Sequence, residues 1–579
     1  MTETHASRTT TQDAAPSTGA GGGSDSNRGK GSGAPPPLGR FLARAAVITA
    51  ALTAAGAFFG LLRDQAIASL FGADADTDAF LVAWTVPELA ATLLIEDAMA
   101  LILVPAFSLA LSRRAARDRR DRTEPETGSQ PEPDPVWGMV TATLPRMALA
   151  LAAAAALLAL TAPFLVRVLA PGLPGTGTAV DCMRLTSLSV VTFGLAGYFS
   201  AALRAHRHFV APAAIYVAYN VAIIAVMFAG HTAWGVRAAA AGVAAGGVLM
   251  VLVQLPSFVA RLPGREERRA ARAARTALRL GPLASVPGAT GRVTLLGFGV
   301  LAPVVTFAMS RQAQVLYERF LASSLPAGAI SHLNYAQKVA QMPMVLSLMV
   351  CTVTFPVVAR AMADGDTQRA RRRVERDLAL VGIVVLLGAS YVIACAPQII
   401  QLLFERGAFD AHDTADTASV MRVYSCGLLG HSMVGALVRP FFSGSRPTWY
   451  PAAAMGAGLA VTVVAGAIAA RFWGVHGIAA ANAVGITAAA LLLLRGLGAR
   501  VVTIDVRRVA TGLLRLLLAA AAASAAGWGT ARIVHAPLAA AAAGGVTVLV
   551  VFASVAHLVR APEVPQMFAT VKRRLAHVD

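Results

Sequence analysis

The sequence predicts an all-α polytopic membrane protein of about fourteen transmembrane helices, and three observations carry that prediction. Of 579 residues, 56% are hydrophobic and only 14% charged, whereas soluble domains carry about 25% charged residues. The apolar residues gather into runs long enough for a helix to cross roughly 30 Å of hydrocarbon. Between the runs, Lys and Arg are abundant in alternate loops and sparse in the others, the charge pattern that orients helices in a bilayer. Inside lipid every backbone polar group must be satisfied within its own segment, so the runs are expected to be helices.

Residues 1–40 are rich in Gly, Ser, Thr and Pro and predict a disordered cytoplasmic tail. They hold no apolar core with a small-residue cleavage site, so the run from Phe41 to Leu62 reads as a retained first span. Further spans are expected at 79–111, 138–165, 181–203, 211–229 and 238–260, completing a six-helix lobe over 41–260. A second six-helix lobe over 293–500 comprises 293–317, 330–358, 378–404, 418–442, 449–470 and 478–494. Spans 509–530 and 538–559 form an additional pair over 501–560. A short cytoplasmic tail, 561–579, follows, and no appended cytoplasmic domain is expected.

The loops test this count. Six of them, 112–136, 204–210, 261–292, 359–377, 443–448 and 495–508, carry 27 Lys or Arg together. The seven opposite loops carry one each: Arg63, Arg167, Arg237, Arg319, Arg406, Arg471 and Arg532. This bias places both termini in the cytoplasm and the chain in the cytoplasmic membrane. Losing one span would scramble the alternation. Lys572, Arg573 and Arg574 in the C-terminal tail agree with it.

An internal repeat supports two lobes. Gly72, Ala73 and Pro87, around the second span, match Gly328, Ala329 and Pro343, around the eighth, at a constant offset. Six spans separate the copies, and an even number gives parallel halves related by an axis along the membrane normal. The basic linker 261–292 falls between the halves. Its arginines recur at helical spacing, which fits an amphipathic helix on the inner leaflet or a solvated linker.

Several function classes drop out. The net charge of +19 would suit nucleic acid, but the arginines sit in short loops where they meet anionic headgroups, and no folded basic domain is present. Cys182, Cys351, Cys395 and Cys426 lie in or at the edge of apolar spans without paired spacing. They read as small buried hydrophobes rather than a disulfide framework or metal site. The sequence holds no Walker loop, zinc motif or nucleophile elbow, so neither an enzyme, an ATP-driven pump nor a bound cofactor is expected.

Ionisable groups inside spans cost about 2.5–3.5 kcal/mol each on insertion scales and face cavities, so they mark the place to look. The second span contains Pro87, Glu88, Glu96 and Asp97 and is expected to line a water-filled interior, with a break at Pro87. The eighth carries Asn334, Gln337, Lys338 and Gln341 on successive turns before Pro343. Lys338 has two readings that are not exclusive: an ion pair with Glu88 or Glu96, or contact with an anionic substrate. Arg63 and Asp64, at the end of the first span, read as a surface ion pair, with Asp78 just before the second span. Arg184, Asn220, His431 and Arg439 are further polar points, His431 reading as a satisfied interior histidine.

Four blocks resemble the MurJ/MviN family of lipid II flippases. They are GLLRDQAIASLFGADADTDAFLVAW from Gly60, SHLNYAQKVAQMP from Ser331, LFERGAFDAHDT from Leu403 and LVRPFFSGSRPTWYP from Leu437. They occur in the family's order, and the resemblance covers roughly residues 41–560. It implies the fold of the MOP exporter superfamily, with two six-helix lobes around a central cavity and two C-terminal helices bordering a groove for the lipid tail. It also implies a flippase that carries a lipid-linked peptidoglycan precursor across the cytoplasmic membrane by alternating access. The expected partners are a lipid-linked anionic substrate of the undecaprenyl-pyrophosphate type and membrane lipids, with no nucleic acid. A cationic cavity suits such a substrate, because a dehydrated pyrophosphate demands paired positive charge.

By position, the resemblance assigns substrate-binding roles to Arg63, Asp78, Glu96, Lys338 and Gln341, with Glu88, Asp97, Asn334 and Arg439 as candidate cavity lining. Lys338 stands where the family usually has arginine, keeping the charge but losing the bidentate fork. Two family arginines align with Ala57 and Ala91, and Glu88 and Asp97 add negative charge, so this cavity is expected to be less cationic. That departure keeps a divergent exporter of another lipid-linked glycan or small molecule in view. A non-transporting scaffold with a decayed cavity is a further alternative.

Overall fold

The computed structural model describes residues 38–123, 134–262, 295–347, 358, 360–362, 364–442 and 448–559. The two tails, most of the basic linker and Cys351 lie outside the described residues, so the expectations for them stay untested.

The first lobe is built from α1 (Leu38–Phe71), α2 (Ala75–Ala91), a π-helical turn (Thr92–Asp97), α3 (Ala98–Thr123), α4 (Pro135–Leu169), α5 (Thr176–Ala205), α6 (Val210–Trp234) and α7 (Arg237–Val259). The second comprises α8 (Leu295–Ala322), α9 (Ala329–Ala340), α10 (Thr367–Ala394), α11 (Ala396–Phe404), α12 (Ala411–Ser425), α13 (Leu428–Phe442) and α14 (Tyr450–Arg500). The assigned α14 contains two helices meeting at Gly474, whose φ of 51° reverses the chain between the predicted spans 449–470 and 478–494. Finally, α15 (Val506–Ile533) and α16 (Pro537–Leu558) pack on α10 and α11. There Ser390 Oγ donates to the Ala520 carbonyl at 3.1 Å and Gln398 Nε2 to that of Ala531 at 3.2 Å.

Aspartates start several helices. Asp134, Asp366 and Asp505 each accept from backbone N–H groups in the first turn of α4, α10 and α15, satisfying donors a helix leaves open. Small residues let helices approach closely. At Gly246 of α7 a Cβ would meet the Tyr219 ring and carbonyl of α6 at 2.7 and 2.9 Å, the packing that substitutes for a hydrophobic drive in lipid.

The second span departs from expectation in an informative way. Pro87 does not break the helix, which runs through it from Ala75 to Ala91. A proline there deprives the Ala83 carbonyl of its i+4 donor. The hydroxyl of Thr186 on α5 reaches that carbonyl at 3.5 Å. The irregularity falls further on, in the π-helical turn containing Glu96 and Asp97, whose side chains lie outside the described set.

Among the described residues, nine helices are long and apolar enough to cross a membrane by length and composition. They are α1, α4–α7, α10 and α14–α16. The helices outside that set are α2, α3, α8, α9 and α11–α13, and the buried polar groups are divided about evenly between them and the nine.

Candidate functional site

The first lobe holds a half-open chamber lined by Arg63, Trp84, Glu88, Tyr219 and Asn220 among others. Arg63 is not at a helix end. α1 continues to Phe71, so Arg63 and Asp64 sit inside the bundle, 8% and 4% exposed. The expected surface ion pair is a buried one. Arg63 Nε and Nη2 donate to Asp64 Oδ1 at 3.1 and 2.8 Å. Its Nη1 donates to Asn220 Oδ1 at 3.0 Å, and Asn220 is held in turn by the Gly56 carbonyl.

Lys338, on α9, joins the same group. Its Nζ lies 3.3 Å from Asp64 Oδ1. Among the described residues the acid it pairs with is therefore Asp64 rather than Glu88. The guanidinium of Arg63 and the ammonium of Lys338 stand 4.4 and 4.8 Å from the Trp84 ring. Two cations thus share one carboxylate and one indole, partly held by cation–π attraction, and Glu88 on the same wall brings the group close to charge balance. Lys338 keeps 23% of its side chain exposed, enough to meet a ligand.

Asp78 plays a different part. Its Oδ2 accepts from Gly328 N at 2.9 Å, and its Oδ1 accepts from Ser331 N at 2.7 Å and from Ser331 Oγ at 2.5 Å. The first lobe therefore supplies the N-terminal cap of α9 in the second. Hydrogen bonds between the lobes cluster at this end. Tyr335 donates to the Gly72 carbonyl at 3.4 Å, Ala408 N to that of Ser69 at 2.9 Å, and Ala73 N reaches Asp413 at 3.4 Å. The repeated glycines belong to this seam. Gly72 and Gly328 have φ of 65° and 91°, and a Cβ at either would press on a carbonyl oxygen across the seam, that of Ala408 or Ala73. In the adjacent turn, backbone N–H groups of Asp413 and His412 hold the Asp410 carboxyl below its ordinary range.

The second lobe has its own partly open chamber, bordered by α8, α9, α13 and α14. Gln341 lines it and donates to the Tyr424 hydroxyl at 3.3 Å. His431 is satisfied as expected, its Nε2 2.9 Å from Asn482 Oδ1, and the Asn482 amide donates to Glu318.

Of the residues singled out from sequence, the structure places Arg63 and Glu88 in the first chamber's lining, joins Lys338 to Arg63 through Asp64 beside that lining, and places Gln341 in the second. Asn334 is buried against Arg319, accepting from Nη2 at 3.0 Å, and Arg439 lies on α13; neither is in a chamber lining. Ala91 lines the first chamber, so an arginine there would have entered it, whereas Ala57 is exposed on α1. Trp84, Arg311, Gln314, Glu318, Arg319 and Asn482 were missed. The signal on α8 was present, since 311, 314 and 318 share one helical face, but Arg319 had been assigned to a loop.

The sequence profile of the family described as "Lipid II flippase MurJ" matches residues 67–543. The chain belongs to the MurJ family. The lipid II flippase MurJ of Burkholderia cenocepacia is 29% identical over 416 residues, covering 69% of this chain and 73% of that one. A solved structure titled as lipid II flippase MurJ in an inward closed conformation superposes with a TM-score of 0.63 at 17% identity, covering 88% of this chain and 98% of that one. An inward-facing multidrug resistance MATE transporter of the MOP superfamily gives 0.58 at 13% identity, covering 80% and 99%. The fold is therefore that of a MurJ/MATE-like membrane transporter rather than an enzyme.

Proposed function

We propose that this protein moves a lipid-linked peptidoglycan precursor of the undecaprenyl-pyrophosphate type from the cytoplasmic to the outer face of the cytoplasmic membrane, by alternating access. The observation that carries the reading is the buried Arg63–Asp64–Lys338 group on Trp84. Two cations held by one carboxylate offer a pyrophosphate what water would otherwise supply. Their positions are already fixed by Asp64, Asn220 and the indole, so binding costs little reorganisation. Arg63 has its fork engaged, whereas Lys338 has one partner and freer donors, so Lys338 makes the first contact.

The same group couples binding to movement. Lys338–Asp64 joins α9 to α1 across the lobes, and a phosphate that draws Lys338 away loosens that link. On the topology favoured by the loop charges, the seam around Asp78 faces outward, and its hydrogen bonds are the contacts that close that side. Release outward requires the Asp78, Ser69 and Gly72 contacts to part. The substrate can favour that only through differential affinity for the two states.

Complementation tests the reading: deplete a host's own lipid II flippase, express this chain, and follow growth together with lipid II exposure on the outer leaflet. Rescue of both is expected. Failure with the protein present in the membrane would favour export of another lipid-linked glycan or small molecule, the reading to which Glu88 and Ala91 in the first chamber lend support.

A further inference from the structure

The second chamber has no part in the charge chemistry above, yet it is built to bind. Arg311 and Gln314 enter it from one face of α8, and Gln337 and Gln341 enter from α9. Gln314 is 4% exposed, and its Nε2 has no hydrogen-bond partner among the described residues. A buried amide left unpaired costs about 1–3 kcal/mol. Such a group, shut off from water beside the chamber, gains if an acceptor reaches it when the chamber is filled. His431 and Asn482 are committed elsewhere, the one to the other and Asn482 to Glu318, and so they stiffen the wall. Gln337 and Gln341 are hydrogen-bonded to Tyr424, so the groups left open are the Gln314 amide and the Arg311 guanidinium.

That set fits a carboxylate and amide carbonyls better than a pyrophosphate, which calls for several cations at close range. The location specifies the source. Gln337 precedes Lys338 in the chain, and Gln341 caps the end of the same helix, about 5 Å in rise beyond Lys338. A group bound here belongs to the same molecule as a pyrophosphate held by Lys338.

We infer that the second-lobe chamber is a subsite for the peptide stem of the lipid-linked precursor, with Arg311 taking a carboxylate and Gln314 an amide carbonyl. The inference rests on the transport reading above and adds to it a source of discrimination. Donors built to meet a ligand's carbonyls reject an analogue that lacks them, because they are then left unpaired.

The test uses the full chain in nanodiscs and two probes: lipid II with its complete peptide, and the same lipid-linked disaccharide after an amidase has removed the peptide. Wild-type protein is expected to bind the complete lipid about tenfold more tightly than the stripped one. Arg311→Gln and Gln314→Leu should each remove most of that difference while leaving affinity for the stripped lipid unchanged. Gln314→Glu keeps the side chain's shape but replaces the donor with an acceptor, and it should weaken the complete lipid further. Thermal melting of each variant at the wild-type temperature or above ties any loss to the site. Equal wild-type affinity for both probes would overturn the subsite and leave the transport reading standing, as would variants that lose both probes equally. Wild-type protein that binds neither probe would overturn the transport reading and the subsite together.

Discussion

The two chambers sit in lobes that carry traces of a common repeat, yet they are equipped for different chemistry. The first is electrostatic: Arg63 and Lys338 share Asp64 and Trp84, with Glu88 on the wall. The second is a hydrogen-bonding surface of glutamines with one arginine, stiffened by the Tyr424–His431–Asn482–Glu318 chain. Charge gives attraction at range and tolerates variation in the ligand. Fixed amide donors work only at contact and penalise a wrong ligand. A transporter that divides these tasks between lobes can vary its specificity in one without dismantling affinity in the other.

Removing one member from each chamber should break the comparison open. Asp64→Ala leaves two buried cations facing each other across an indole, and losing one partner of a buried ion pair costs about 3–5 kcal/mol. A large drop in melting temperature and in membrane yield is expected, with recovery when Lys338→Met is added. Gln314→Leu removes an unpaired amide instead and should raise the melting temperature slightly. Equal destabilisation by the two would show that the chambers are not energetically distinct.

Function should separate the cations next. Lys338→Ala is expected to abolish complementation, while Lys338→Arg preserves it because charge is kept and the fork improves phosphate contact. Full activity of the alanine variant at normal expression would take the pyrophosphate out of the first chamber. At the seam, Asp78→Ala unpairs two backbone N–H groups and a hydroxyl, each worth about 1 kcal/mol. A single cysteine at Ala73 should then react faster with a membrane-impermeant maleimide, and Asp78→Asn should fall between. The smallest effect is expected from Ala91→Arg, which restores a cation beside Glu88. A gain of a few-fold in affinity for lipid II, falling with added salt, would sharpen the electrostatic account of the first chamber.

The long apolar helices were the legible part of the sequence, and the reason is physical. Hydropathy records an apolar surface whether lipid or protein covers it, so α4–α7, α15 and α16 stand out although α5 is mostly buried. It does not record where a helix ends once it is surrounded by protein. The apolar run stops at Leu62, but α1 continues to Phe71 through Arg63 and Asp64, which hid a buried ion pair behind the appearance of a loop. The same error placed Arg319 outside α8, although it is buried with its guanidinium on Ile330 and Asn334. Lys338 and Glu88 were recognisable because charge in an apolar run is conspicuous. Asp64 as the partner of Lys338 was not, since that pairing spans 274 positions and depends on the lobes meeting. Pro87 failed as a break for a similar reason, its effect being absorbed by Thr186 on another helix.

Because Asp78 caps α9 from across the seam, the end of that helix is finished only while the lobes touch. When they part, the amides of Gly328 and Ser331 lose their acceptor and pass to water. The fraction of time the transporter spends open is therefore written into the deuterium uptake of two backbone positions. A ligand that holds the seam shut would slow that uptake, one that drives it open would hasten it, and the molecule would report its own cycle without a label attached.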